Sequence, residues 1–247
     1  MPAPVAVIPS RYAAQRFPGK PLALIKGKPL VQHVVERCLE AKCFSRVLVA
    51  TDDERIRSVV HRFGGEALMT SAACASGTDR VAELAATLGL SGEDVVINVQ
   101  GDEPAVHPRA LATLASAFEE AAVEMATLVR ALKEDERPNP NVVKAVLDES
   151  GNALYFSRAD LPFQRDAGGP PIARYAHLGL YGYRARVLSR LAALPPTVLE
   201  KSESLEQLRA LGHGIRIACR VTPYDSQAVD RPEDLPLAEA ALARLAW

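Results

Sequence analysis

Three cations, Arg11, Arg16 and Lys20, fall in one stretch directly after a short apolar run, Val5 to Ile8, that stops at Pro9. A strand that runs into a cationic loop can hold a polyanion, because the side chains bring charge and the loop amides bring donors. Solvated surface is the plainer reading of the same three residues. Asp102 follows the apolar run DVVINVQ (94–100) almost at once. A carboxylate there can hold a hard cation such as Mg²⁺, which prefers carboxylate and phosphate oxygens, or it can cap the next turn. Asp230 is a second carboxylate of this kind. Asp230-Arg-Pro-Glu233 reads as a capping box, and a capping Asp can still turn its other oxygen to a metal. Spacing alone does not bring the two acids together. Ser76-Gly77-Thr78-Asp79-Arg80 is a loop-to-helix junction whose free amides can meet an anion or a base edge. An ordinary N-cap is the simpler reading. Taken singly, His177 reads as a structural histidine, Tyr181 and Tyr183 as packing, and Glu206 and Gln207 as the solvated face of an amphipathic helix.

The elements that must position these residues alternate. Strands are expected at 5–9, 46–51, 66–69 and 94–100, and helices at 29–41, 54–63, 76–88 and 108–120. Thr51-Asp52-Asp53 supplies caps for the second helix, and Gly64-Gly65 ends it. This βαβα rhythm implies a mostly parallel sheet with helices on both faces. After about residue 125 the rhythm changes. Strands are expected at 125–132, 142–147, 153–157 and 178–183, with a turn at Asp148–Asn152 making a hairpin. Residues 162–175, with Pro162, Gly168, Gly169, Pro170 and Pro171, read as a loop. Helices at 185–194, 199–211 and 232–245 and a strand at 215–221 complete the chain. The whole of 1–247 is read as one α/β domain with a β-rich lobe inserted at roughly 125–185. In such open sheets ligands sit beyond the carboxyl ends of the strands, which is where the 10–20 loop, Gly101-Asp102-Glu103-Pro104 and a late acidic turn should meet.

Composition narrows the function classes. The 247 residues are 48% hydrophobic, enough for a sizeable packed core. A formal net charge of -1 argues against a nucleic-acid binder but not against a small anion, which responds to local cations. No apolar run approaches the roughly 20 residues needed to cross a bilayer, and the start lacks the pattern of a signal peptide. A cytoplasmic protein is expected. Cys38, Cys43, Cys74 and Cys219 form no C-x-x-C pair and read as reduced thiols rather than metal ligands. The first strand is not followed by G-x-G-x-x-G, which argues against a nicotinamide enzyme.

Together the segments match a family. RYAAQRFPGKPL, SGTDR (76–80), NVQGDEP (98–104), NPNVVK (139–144), ALYFSR (153–158), HLGLYGYR (177–184), LEQLR (205–209) and VDRPEDL (229–235) occur in order along essentially the whole chain. They resemble the 3-deoxy-manno-octulosonate (Kdo) cytidylyltransferases, nucleotidyltransferases of lipopolysaccharide assembly. The resemblance implies a Rossmann-like nucleotidyltransferase fold, CTP and Kdo as substrates, Mg²⁺ as cofactor and a homodimer. It implies that Arg11, Arg16 and Lys20 grip the CTP phosphates, with Lys20, Arg16 and Asp102 the catalytic residues. Ser76, Gly77, Thr78 and Arg80 would lie beside the nucleotide, and Gln100 near both substrates. Asp102 and Asp230 would hold Mg²⁺, while Arg158, His177, Tyr181, Glu206 and Gln207 would shape the sugar-acid site. Ser10 and Phe17 depart from the commonest family pattern. An amino-substituted Kdo or sialic acid as acceptor, and a non-catalytic nucleotide-binding module whose acids are caps, are the alternatives left open.

Overall fold

A computed structural model describes residues 2–13, 16–166, 168–169 and 172–245. The first half runs β1 (Val5–Ser10), β2 (Leu24–Ile25), β3 (Lys28–Pro29), α1 (Leu30–Ala41), β4 (Arg46–Thr51), α2 (Glu54–Arg62), β5 (Glu66–Met69), α3 (Gly77–Thr87), β6 (Val95–Asn98) and α4 (Pro108–Ser116). The second half runs β7 (Met125–Ala131), β8 (Lys144–Leu147), β9 (Ala153–Ser157), β10 (Tyr175–Arg184), α5 (Ala185–Ala193), α6 (Val198–Glu203), α7 (Gln207–Gly212), β11 (Ala218–Val221) and α8 (Leu235–Leu245). Pro170 and Pro171, in the expected 162–175 loop, lie outside the described residues.

The main sheet has the order β11-β7-β10-β6-β1-β4-β5. β6, β1, β4 and β5 are mutually parallel, as βαβ crossovers require. Along this path β10 runs against both of its neighbours, β6 and β7. The β8–β9 hairpin is attached where β8 pairs with the start of β10, and β2–β3 form a separate small ribbon. The central strands are apolar on both faces because helices cover both. Ala6 and Ile8 pack in one core with Val34 of α1, Leu111 of α4 and Leu242 of α8. Val7 and Val96 point the other way, into a core with Leu84 of α3, Leu188 of α5 and Leu208 of α7. Fully burying one such side chain contributes about 1.5–3 kcal/mol, so this alternation fixes which face of β1 and β6 each helix layer covers.

Several expected bounds shift, among them the strand at 215–221, which is Ala218–Val221, and the helix at 108–120, which is Pro108–Ser116; two departures bear on the site. The helix read over 199–211 is broken into α6 and α7 at Ser204, whose φ of 52° is left-handed. The carbonyls of Glu203 and Ser204 accept hydrogen bonds from the Arg158 guanidinium, at 2.7 and 3.4 Å, instead of continuing a helical ladder. The strand read over 178–183 begins earlier, at Tyr175, and its register with β7 slips between Leu178 and Tyr181.

Candidate functional site

At the carboxyl ends of β1 and β6 lies a cavity of about 300 Å³. Its walls include Arg11, Arg16 and Lys20 from the loop after β1, Ser76, Gly77 and Arg80 from the start of α3, Gln100, Gly101 and Asp102 after β6, and Asp230. The loop after β1 is locally fastened. The Gly19 amide donates to the Tyr12 carbonyl at 2.8 Å, and Gly19 sits at φ 74° with the Tyr12 ring where a side chain would go. The Arg55 guanidinium lies over the same ring, 3.4 Å from its centroid. Lys20 then starts a single 3-10 turn.

The Lys20 ammonium is the hub of the site. Its Nζ donates to Asp102 Oδ2 at 2.8 Å and to the Val229 carbonyl at 2.8 Å, and stands 3.8 Å from Asp230 Oδ1. Arg16 donates to the same Asp230 oxygen at 3.3 Å. Two acids separated by most of the chain therefore face one cation. The Val229 amide donates to the Asp102 carbonyl at 2.9 Å, pinning the two segments together. The expected capping box is shifted by one residue. Asp234, not Glu233, accepts the amides of Asp230 and Arg231, both at 2.8 Å. The cause is the 3-10 turn at Pro232–Asp234 with Arg231 at its start; the Asp230 carboxylate is left facing Arg16 and Lys20. Gly101 permits the close approach of β6 to β1, since a Cβ there would lie 2.6 Å from the Pro9 carbonyl oxygen.

On the opposite wall Ser76 and Asp79 form a reciprocal capping box at the head of α3. Arg80 is buried and donates to Asp52 Oδ2 at 2.9 Å and to Thr70 Oγ1, so its guanidinium is held as part of the wall. Asp53, the neighbour of Asp52, caps α2 through the Arg55 amide. Cys74 also lines the cavity, its thiol donating to Glu83 Oε2 at 3.0 Å and its pKa pushed up to about 11, chiefly by burial. All four cysteines are unpaired.

The remaining expected residues lie outside the cavity wall. Glu206 adjoins it through Ser76, whose Oγ is 3.4 Å from Glu206 Oε1. Burial raises the Glu206 pKa, partly offset by a hydrogen bond from Thr78. Gln207, at the start of α7, is buried. His177 and Tyr181 project from β10 with ring centroids 5.3 Å apart, and His177 Nε2 lies 3.0 Å from Thr127 Oγ1. Loss of water pulls the His177 pKa down to about 3, so the ring stays neutral and is a poor proton acceptor. The Tyr181 hydroxyl is buried and without a hydrogen-bond partner in the structure. Arg158 is the most distant in connection. Its guanidinium donates to the carbonyls of Pro140, Glu203 and Ser204.

Three further residues were not singled out by the sequence. Asp52 holds Arg80. Glu103 accepts from the Ser226 hydroxyl, and burial, reinforced by the Asp102 charge, pushes its pKa up to about 7. Lys144, inside the NPNVVK segment, is fully buried. In the sequence Asp52 reads only as a helix cap, and Glu103 and Lys144 only as members of the NVQGDEP and NPNVVK segments.

Among the described residues, no group of three or more His, Cys, Asp or Glu side chains converges as a metal site, and no helix is long and apolar enough to cross a membrane. The family model described as Cytidylyltransferase matches residues 5–217. A 3-deoxy-manno-octulosonate cytidylyltransferase of Myxococcus xanthus is 56% identical over 238 residues, 96% of each chain. An 8-amino-3,8-dideoxy-manno-octulosonate cytidylyltransferase of Shewanella piezotolerans is 49% identical, over 96% of this chain and 97% of that one. A solved CMP:2-keto-3-deoxy-manno-octonic acid synthetase, complexed with CTP, superposes with a TM-score of 0.91 at 40% identity, covering 98% of this chain and 99% of that one. Likeness of this degree in sequence and backbone, end to end, leaves one assignment: the chain is a nucleotidyltransferase and belongs to the 3-deoxy-manno-octulosonate cytidylyltransferase family.

Proposed function

We propose that this protein transfers CMP from CTP to the anomeric hydroxyl of Kdo, releasing pyrophosphate and supplying CMP-Kdo for lipopolysaccharide assembly. The observation that carries this reading is the cluster of Arg16, Lys20, Asp102 and Asp230 at the mouth of β1 and β6, in a chain whose relatives act on Kdo and bind CTP. Arg11, Arg16 and Lys20 face the triphosphate. Lys20, already fixed by Asp102 and the Val229 carbonyl, is aimed at the charge that grows on the departing pyrophosphate. Ser76, Gly77, Thr78 and Arg80 border the nucleotide, and Gln100 stands between the two half-sites. Glu206, Gln207, His177, Tyr181 and Arg158 form the sugar-acid side.

Two carboxylates facing one cavity suit Mg²⁺, which takes one or two protein carboxylates and fills its shell from substrate oxygens. Asp102 and Asp230 would hold it. Bound there, the ion supplies charge neutralisation between two anionic substrates. The reaction joins the sugar oxygen to the α-phosphorus, breaks that phosphorus's bond to the oxygen it shares with the β-phosphate, and releases the hydroxyl proton to solvent. With His177 held neutral, no dedicated side-chain base is assigned.

The 49% identity to an 8-amino-sugar enzyme supports a second acceptor, the 8-amino analogue of Kdo. We further propose a single domain carrying a β-rich lobe at roughly 125–185, a cytoplasmic location, and a homodimer to which the lobe contributes. Leu154 and Phe163, 60% and 85% exposed, support the last of these. The test is to incubate the protein with CTP, Mg²⁺ and, separately, Kdo, 8-amino-Kdo and sialic acid while following pyrophosphate. Release with Kdo is expected. Binding of CTP with no pyrophosphate from any of the three overturns the proposal.

A further inference from the structure

Lys144 carries a full ammonium into the interior, at 0% exposure. Its three protons go to three backbone carbonyls: Asn139 at 2.7 Å, Val142 at 2.8 Å and Arg158 at 2.9 Å. The first two belong to the turn before β8, and the third to the residue after β9. Burying a charge this way is costly unless every donor is satisfied, and here every donor is used on main chain. The ammonium therefore acts as a clip between two segments rather than as half of an ion pair.

The clip is the first link of a chain that ends at the site. Arg158, whose carbonyl Lys144 holds, donates from Nη1 to the Pro140 carbonyl at 2.9 Å, so both segments are tied twice. Its Nε donates to the Glu203 carbonyl at 2.7 Å. The Glu203 carboxylate returns the contact, accepting from the Ser157 hydroxyl at 2.6 Å and from the Arg158 amide at 3.0 Å. These bonds end α6 at Ser204 and set where α7 begins, with Glu206 and Gln207. Glu206 in turn meets Ser76 at the head of α3.

We propose that Lys144 is a positioning residue for the sugar-acid half of the site, acting through Arg158 and Glu203 on Glu206 and Gln207. This rests on the reading of those residues as the sugar-acid side. The nucleotide half is fastened independently, by Lys20, Asp102, Val229 and the Asp52–Arg80 pair, so loosening the clip should be felt by one substrate and not the other.

The test is Lys144→Met, which keeps much of the side-chain length and removes the charge and all three donors. The KM for Kdo should rise about tenfold or more while the KM for CTP stays within about twofold. Amide hydrogen exchange in the free protein should speed up across 139–142 and 203–207 and remain unchanged across 76–80. Equal changes in both KM values, or a lowered melting temperature with neither KM altered, would mean a purely structural lysine and overturn the inference. Should Lys144→Met prove insoluble, Glu203→Gln weakens the next link with the ammonium in place. The same one-sided rise in the Kdo KM is then expected, and its absence is equally fatal. If the wild-type protein releases no pyrophosphate with any sugar acid, the proposed function fails. The exchange measurement still decides whether Lys144 fixes 203–207.

Discussion

Replacing Asp102 by Asn separates the charge of this residue from its shape. The Asp102 carboxylate accepts from Lys20 Nζ at 2.8 Å, with its side chain 29% exposed. An Asn at 102 fits the same volume and its carbonyl oxygen can still accept that bond. What is lost is the difference between a charge-assisted and a neutral hydrogen bond, about 1 kcal/mol in folding. For a chain of this size that is a melting shift of about 2–4 °C. Catalysis should suffer far more. The lost charge faces Asp230, Lys20 and the place where the phosphates react, and removing one well-placed electrostatic group costs about 2.7–4 kcal/mol of barrier. At about 1.4 kcal/mol per tenfold, kcat should drop by roughly 10²–10³. The assay is pyrophosphate release at saturating CTP, Kdo and Mg²⁺, alongside a thermal melt. A kcat within tenfold of wild type, in a folded variant, would refute the role given to this carboxylate.

Lys20→Ala should lower kcat more than it weakens Kdo binding, as steady-state kinetics with each substrate varied will show; a defect confined to Kdo affinity contradicts the phosphate assignment. Gly101→Ala puts a methyl group 2.6 Å from the Pro9 carbonyl oxygen. It should cost about 1–3 kcal/mol in urea unfolding, and an unchanged midpoint would show that β1 and β6 are not so tightly set. His177 has its pKa pulled from 6.5 to about 3 in the fold. The unfolded chain therefore binds a proton first as pH falls, and the native state loses stability from about pH 6.5 downward. His177→Phe should keep the ring packing and remove that loss. Denaturant midpoints should diverge in favour of the variant at about pH 5 and differ by a constant amount above about pH 7.5; parallel curves would count against it.

The strands of the first half were legible because each is a short apolar run closed by a turn signal, and the cationic loop because it directly follows one. The meeting of Asp102 with Asp230 was not legible in the residue pattern. It depends on β6 lying beside β1 and on one backbone hydrogen bond from Val229 to Asp102; the open-sheet rule sends a late acidic turn to the site, and the family resemblance gives Asp230 its role there. Glu233 looked like the cap by spacing, but Pro232 opens a 3-10 turn and moves that role to Asp234. The break at Ser204 comes from Arg158, a residue remote in sequence, so no local helical pattern could reveal it. The burial of Lys144, the last residue of NPNVVK, carried no signal, because a lysine between apolar residues reads as a surface position on a strand until its three carbonyl partners are known.

Val229 follows Lys20 by 209 residues and Asp230 comes next, yet both touch it. During synthesis on the ribosome, the first strands and the cationic loop emerge long before the residues that complete the cluster. A nascent chain can thus assemble most of the sheet while lacking the second acid. Catalytic competence should appear only after residue 230 has left the exit tunnel and met Lys20.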